Sequence, residues 1–503
     1  MKIILKISFL LLLTQVSFAQ NKSDYIWLFS NDYTDSLELM EGSVIDFNNG
    51  KRDTLYVPLA FEQGPTNASI CDPETGRLLF YTNGCAIADS THQIMLNGND
   101  INPGELHDNW CGEGFDYPQK NTTIILDIPQ SENEYYVFHQ SRVPDNAPAM
   151  GLLYSKVDMS GNGGLGEVIF KNEELIEYSK VNSSYMTACR KPDSNGWWLI
   201  VMGYPTNDLI IYSVTNQGVE AIDTVEQNTA FSAFTNGGGH SCFSPDGNTF
   251  AWYNPFDNFH VYDFDRETGK LSNYQSVDVP EYTVNMEFYG SISISPSNQF
   301  AYLSSDYQMY QVDLWANDLQ ESLTLIAEWD GFGDPFPTGF SSIMHGPDCK
   351  MYVASGASVK HLGVIHYPDN KGMDCEFKQH DLELPWHKNV GNVPNFPHFR
   401  IDEEAPCDDM ITTTSYIPDY STLKIKVIPN PTTHQLYFSF PEVNKEKSSI
   451  YIYNGMGELV KEVPIKKHLL SKNVDVSDLS LGIYFFKFSS NQVLLGSGSF
   501  IKS

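Results

Sequence analysis

Hydrophobic positions in this chain come in short runs of four to eight residues, broken by polar turns, and the 3.6-residue period of a helix is absent. Residues 240–254, HSCFSPDGNTFAWYN, show the unit: an apolar run, a Pro-Asp-Gly turn and a second apolar run rich in aromatics. Five other stretches repeat it: ASICDPETGRLLFYTN from Ala68, NTTIILDIPQSENEYYVFHQ from Asn121, MTACRKPDSNGWWLIVMG from Met186, GSISISPSNQFAYLSSD from Gly290 and SSIMHGPDCKMYVASG from Ser341. Each predicts a β-hairpin, because proline presets φ at the start of the turn and Asp, Asn, Ser or Gly closes it.

The turn prolines are Pro73, Pro129, Pro192, Pro245, Pro296 and Pro347, spaced by 56, 63, 53, 51 and 51 residues. Further strand-like runs follow the hairpins: LIIYSV, FHVYDFD, MYQVDL and LGVIHY. About four strands per repeat at this period is the pattern of propeller blades. Six hairpins give six blades, and the chain ends argue for a seventh. IWLFS, SVIDF and TLYVPL (Ile26 to Leu59) read as three strands lacking an inner one, and NVPNFPHFRI (Asn392 to Ile401) reads as a lone strand that could supply it. Such a closure would remove two exposed sheet edges. The expected fold is therefore all-β: a seven-bladed β-propeller, with six blades as the alternative, followed by a small C-terminal β-sandwich.

Composition agrees with many strands and turns. Aromatics make up 13% of the 503 residues and Gly plus Pro total 63. The first nineteen residues, MKIILKISFLLLLTQVSFA, have the charged, apolar and small-x-small parts of a secretory signal peptide. No later stretch is long and apolar enough to span a bilayer. The last eighty residues carry ten Lys against six acidic residues, and the signal adds two Lys, so residues 20–423 hold −38 within a total of −32. A body this acidic disfavours nucleic acid and anionic lipid as partners. No cofactor is expected. A calcium-dependent surface is compatible with the charge, but no D-x-[DN]-x-[DN]-G loop supports it. Eight cysteines in an exported chain permit disulfides, with 105 possible pairings and no C-x-x-C motif.

The expected organisation is a signal peptide over 1–19, the propeller over 20–402, an acidic and Thr/Ser-rich linker over 403–423, and a β-sandwich over 424–503, where composition turns basic and strands alternate around Asn454-Gly455. The blocks LLFYTNG, HQIMLNG, the NTTIILDIP…YYVFHQ run, GLGEV, GPDCKMYVASG and VPNFPHF resemble β-propeller regions of large secreted bacterial surface proteins. That resemblance covers most of residues 24–402 and implies an extracellular setting, with no known reaction. The last segment closely resembles the type A C-terminal sorting domain of the type IX secretion system. The matching positions are Pro429-Asn430-Pro431, Tyr451, Gly455 and Gly457, then Asp475, Leu479, Gly482, Ile483 and Tyr484, then Phe500-Ile501-Lys502. It implies the type IX machinery as a partner, passage through the periplasm, and a product that is secreted or attached to the outer cell surface.

Catalytic motifs are sparse. GNGGLG (Gly161 to Gly166) matches G-x-G-x-x-G but lies between two strand runs, whereas a dinucleotide site needs a strand before it and a helix after it. Neither G-x-S-x-G nor H-E-x-x-H occurs. The loops expected on one face of the ring gather aromatic, acidic and histidine side chains, and the candidate ligand-binding residues are His107, Trp110, Tyr117, Phe234, His240, Tyr289, Phe336 and Trp386. Asp108, Phe115, Asp116, Phe332 and Asp334 belong to the same loops. Aromatic faces among carboxylates suit a glycan or a protein partner, although such residues also pack blade interfaces. The expected function is a non-catalytic binding protein for protein or glycan. The alternative is an extracellular polysaccharide hydrolase or lyase using carboxylates at the channel mouth.

Overall fold

A computed structural model describes residues 20–30, 40–48, 52–113, 115–142, 149–227, 238–280, 290–385, 392–403, 426–439, 448–454, 459–465, 471–490 and 493–503. The signal segment and most of the linker lie outside these. All six proline hairpins are present as antiparallel pairs, from Ala68–Cys71 with Leu78–Thr82 to Ser342–His345 with Met351–Ala354. In the Ser244–Thr249 turn, the Ser244 hydroxyl bonds Asp246 at 2.6 Å and accepts the Thr249 N–H at 2.9 Å. Gly247 there has φ +72°, a conformation that only glycine adopts without cost. The GNGGLG segment is the tight turn between Ala149–Asp158 and Glu167–Asn182, as its flanking strands require.

Among the described residues seven sheets precede the C-terminal module, one more than the proline hairpins. The first (Ile26–Phe29, Met40–Asp46, Asp53–Leu59) and second (Ala68–Cys71, Leu78–Thr82, Ile87–Asp89) have three strands, and the next five have four. First strands lie side by side around an axis. The ring closes where the first sheet meets the seventh. Trp27 packs edge-on against Tyr352 at 5.3 Å, and Arg52 reaches Asp381 at 3.4 Å. Apolar side chains between sheets, including fully buried Trp27, Trp197 and Trp252, form the core.

The closing strand is the main correction to the sequence reading. Ile26–Phe29 runs antiparallel to the neighbouring inner strand Ala68–Cys71, with the Cys71 N–H donating to Ser23 O and Asn67 Nδ2 to Leu28 O. It therefore has the direction of a second strand, and among the described residues the inner position of the first sheet holds no strand, as the sequence suggested. Asn392 to Ile401 forms no strand. It runs along the axis instead. Pro394 and Pro397 have no N–H to give a ladder, and the surrounding inner strands are already paired within their own sheets. The segment is held by one backbone bond, Asn395 N–H to Asn67 O at 3.0 Å, and by side chains. Asn392 Nδ2 donates to Pro65 O and Asn121 Oδ1, at 2.7 and 3.0 Å. Asn395 Nδ2 donates to Thr123 O and Met186 O, at 3.1 and 3.3 Å. Phe396 packs on Trp27 and Phe399 on Trp197. At the far end Arg400 pairs with Asp24, and Asp402 with Arg266. The chain thus enters beside the starts of the inner strands and leaves beside their hairpin turns.

The C-terminal module has two sheets. Lys426–Ile428, Gln435–Ser439 and Ser471–Asp475 form one; Leu459–Ile465, Ser448–Tyr453, Gly482–Ser490 and Val493–Lys502 form the other. Leu436, Phe438, Ile450, Ile452, Phe486 and Phe500 fill the space between them, as the alternation of buried and open positions along Ser448–Tyr453 dictates.

Candidate functional site

The loops that precede inner strands share one face of the ring, and the sequence candidates fall on it in three classes. Phe234, Tyr289 and Trp386 lie outside the described residues. Tyr117 and His240 are buried and structural. The Tyr117 hydroxyl accepts the Arg142 N–H at 2.7 Å. His240 opens the strand His240–Phe243, and its Nδ1 lies 3.2 Å from both Ile292 O and Ser291 Oγ on the next inner strand. Burial pushes the His240 pKa down to about 4, so it is a neutral wedge between neighbouring sheets. His107 and Trp110 sit on the short helix Glu105–Trp110, which is anchored by a Cys85–Cys111 disulfide. Trp110 packs on Phe115 at 5.8 Å.

Phe336 is open to solvent, and its loop is the best-formed part of the rim. Phe332 is 38% and Phe336 52% exposed. The Trp329 indole N–H and the Thr338 hydroxyl both donate to Phe332 O, at 3.1 and 3.0 Å, and Gly333 bridges to Pro337. Phe332 leans on His380 (4.3 Å) and meets His361 edge-on (5.3 Å). Each imidazole holds a carboxylate: His380 Nε2 lies 2.8 Å from Asp330 and His361 Nε2 3.2 Å from Asp334. Lys360 links Asp334 to Glu383, at 3.3 and 3.0 Å. Bonds from His361 and then Lys360 hold the Asp334 carboxyl below its usual range. Burial pushes Asp330 up, but the His380 bond and the Phe332 N–H outweigh it and leave it low. Phe332, Asp334 and Phe336 were legible as an aromatic and acidic loop. His361 and His380 were missed, because they lie on strands 25 and 44 residues beyond Phe336.

Two further buried groups lie at the mouth, Asp116 from the expected loops and Lys120, which the sequence did not mark. Lys120 donates to the Ser341 hydroxyl from the opposite side of the ring. Burial pushes its pKa down to about 8 against the attraction of Asp306. Asp116, 3% exposed, accepts the Thr66 N–H at 2.9 Å. Burial raises its pKa well above the usual range, the Thr66 bond opposes this, and the charge of Glu62, itself 1% exposed, adds to it. A single Lys or Glu ahead of a strand carries no motif that could have marked it. Among the described residues no group of three or more His, Cys, Asp or Glu side chains is placed to hold a metal.

A second functional feature lies at the other end of the chain. Asn430 Oδ1 accepts the Ile501 N–H at 2.9 Å, and Asn430 Nδ2 donates to Ser499 O at 3.3 Å. Thr432 N–H donates to Ile501 O, and Ser503 N–H to Thr432 O, both at 2.8 Å. The Pro429-Asn430-Pro431 turn thus clamps the last strand. Residues 426–497 match the family described as "Secretion system C-terminal sorting domain". The C-terminal module is a type IX sorting domain. The protein is accordingly exported by the type IX system and is secreted or held at the cell surface. In the sorting domain, Tyr484 is buried, stacks on Phe500 at 5.4 Å and donates to Ser480 O. Gly482 adopts φ 157°, and Ile483 is exposed. Gly455 and Gly457 lie outside the described residues.

No curated protein sequence matches the chain. Solved structures that resemble it include the periplasmic gluconolactonase of Pseudomonas aeruginosa (TM-score 0.44, 13% identity, covering 73% of this chain and 98% of that one). A protein from Lactobacillus plantarum gives a TM-score of 0.42 at 13% identity, covering 74% of this chain and 98% of that one. The Dos1 propeller gives 0.34 at 11% identity, covering 63% and 72%. No helix among the described residues is long and apolar enough to cross a membrane.

Proposed function

We propose that this exported propeller is a non-catalytic binding protein that takes a protein or glycan ligand on the rim loop around Phe332 and Phe336. One observation carries the reading: two exposed aromatic rings stand on a loop whose backbone is pinned by Trp329, Thr338 and the Gly333–Pro337 bridge. Rigid aromatic anchors lose little entropy on binding. The channel, where propellers commonly hold a ligand, is occupied here by the protein's own segment. Binding of the mature protein to glycan and protein arrays, repeated with Phe332→Ala and Phe336→Ala, tests the proposal. A folded protein that binds nothing at micromolar concentration, or binds equally well without both rings, would sink it.

A second reading is favoured by Asp116. A desolvated carboxyl beside another acid is what a polysaccharide hydrolase or lyase would use as a proton donor. Reducing-end release from polysaccharides that disappears in both Glu62→Gln and Asp116→Asn would replace the first reading with this one.

A further inference from the structure

The rim chemistry narrows the ligand, given the rim as the binding site proposed above. We infer that Phe336 and Phe332 form a platform for a neutral oligosaccharide. The platform is small. Phe336 is the more exposed ring, and Phe332, four residues earlier, is partly covered by His380. Stable protein interfaces bury about 800 Å² on each partner, whereas one or two rings suffice to stack a pyranose on its C–H face.

The polar groups around the rings are of the hydroxyl-binding kind and are already oriented. Asp330, Asp334 and Glu383 are fixed by His380, by His361 with Lys360, and by Lys360, respectively. Their side chains remain 42%, 45% and 60% exposed. Each carboxylate oxygen can accept more than one hydrogen bond, so a sugar hydroxyl can add to this network without displacing a member.

Charge excludes the acidic sugars. Three carboxylates face one ammonium at this rim, on a body that carries −38 over residues 20–423. Lys360 is held between two of those carboxylates. A uronate or sulfate group stacked on these rings would meet the net negative charge of this rim, which salt screens only over about 8 Å. A neutral ring meets no such repulsion.

Calorimetry on the purified mature protein tests this, with neutral hexasaccharides of β-1,3-glucose, β-1,4-glucose and α-1,6-mannose as probes beside hexagalacturonate and a heparin hexasaccharide. The expected result is binding to a neutral probe, little changed between 50 and 500 mM NaCl, weakened about tenfold by Phe336→Ala and restored by Phe336→Trp. Phe336 is exposed, so the variant should fold, and an unchanged circular dichroism spectrum checks that. Preferential binding of an acidic probe, no binding to any neutral probe, or neutral binding indifferent to Phe336 overturns the inference. A purified protein ligand whose binding is lost in Phe336→Ala would overturn it while leaving the rim as the binding site.

Discussion

Arg400, near the end of the axial segment, makes a two-point ion pair with Asp24 at the start of the first sheet, at 2.5 and 2.7 Å across 376 residues of chain. Both side chains are buried, at 8% and 4% exposure. Arg400 also donates to Asn21 O, while the Asn21 N–H donates to Glu403. The two ends of the propeller region are therefore tied together through its middle, without a shared strand.

Breaking that pair should be costly. Arg400→Met leaves Asp24 buried without its partner, and the loss should be about 3–5 kcal/mol. Asp24→Asn with Arg400→Met together should cost less than the two single changes summed. Urea unfolding of the four proteins makes the comparison. An additive pair of small losses would mean that the axial segment is not held there.

Acid should weaken the ring. Burial holds His240, His260 and His398 near pKa 4 and His139 near 3, below the ordinary 6.5. The folded state keeps these rings neutral, while the unfolded chain protonates them below pH 6.5. Their contribution is therefore complete above pH 6.5 and is lost as pH falls from 6.5 towards 4. For His240 the loss by pH 4 should be on the order of 3 kcal/mol. Stability followed from pH 7.5 to 4 should slope downward, and His240→Asn should flatten the slope. Equal stability at pH 7 and 4.5 would contradict this.

The disulfide Cys85–Cys111 closes a loop across a sequence separation of 26 residues and anchors the helix that carries His107 and Trp110. Replacing both cysteines by serine should cost about 3 kcal/mol, read as a fall in melting temperature. Reducing conditions should lower the wild type at least as far, because Cys349 is disulfide-bonded as well. Free Cys71 and Cys189 are buried and Cys242 is half-buried, and desolvation raises the pKa of each thiol, so alkylation of the native protein at pH 8 should leave them unmodified.

Export should depend on Asn430. Asn430→Ala removes both bonds that hold the last strand beside the Pro429–Pro431 turn. The expected outcome is a several-fold drop in the extracellular fraction, with the precursor retained in the periplasm, as fractionation and immunoblotting would show. Normal export of the variant would mean that the clamp is dispensable for sorting.

The hairpins, their period, the C-terminal sandwich and the export route could be read directly from residues. Each depends on local pattern: a proline and its turn partners, two-residue alternation, or ordered blocks such as Pro429-Asn430-Pro431. The candidate site was legible only as a set of loops. Phe336 and His240 have similar surroundings in sequence, an aromatic-rich loop ahead of an inner strand, yet one is half exposed and the other sealed against Ile292.

That difference arises from contacts between residues far apart in the chain. Local preferences decide that Asn392 to Ile401 is extended and poor in N–H donors. Only the assembled ring offers it an axis to run along, with Thr123, Met186 and Asp24 converging on it from three different sheets. Strand pattern records which side chains face inward, and it says nothing of what they will face, because burial of a side chain depends on neighbours that the chain brings together only when the ring closes.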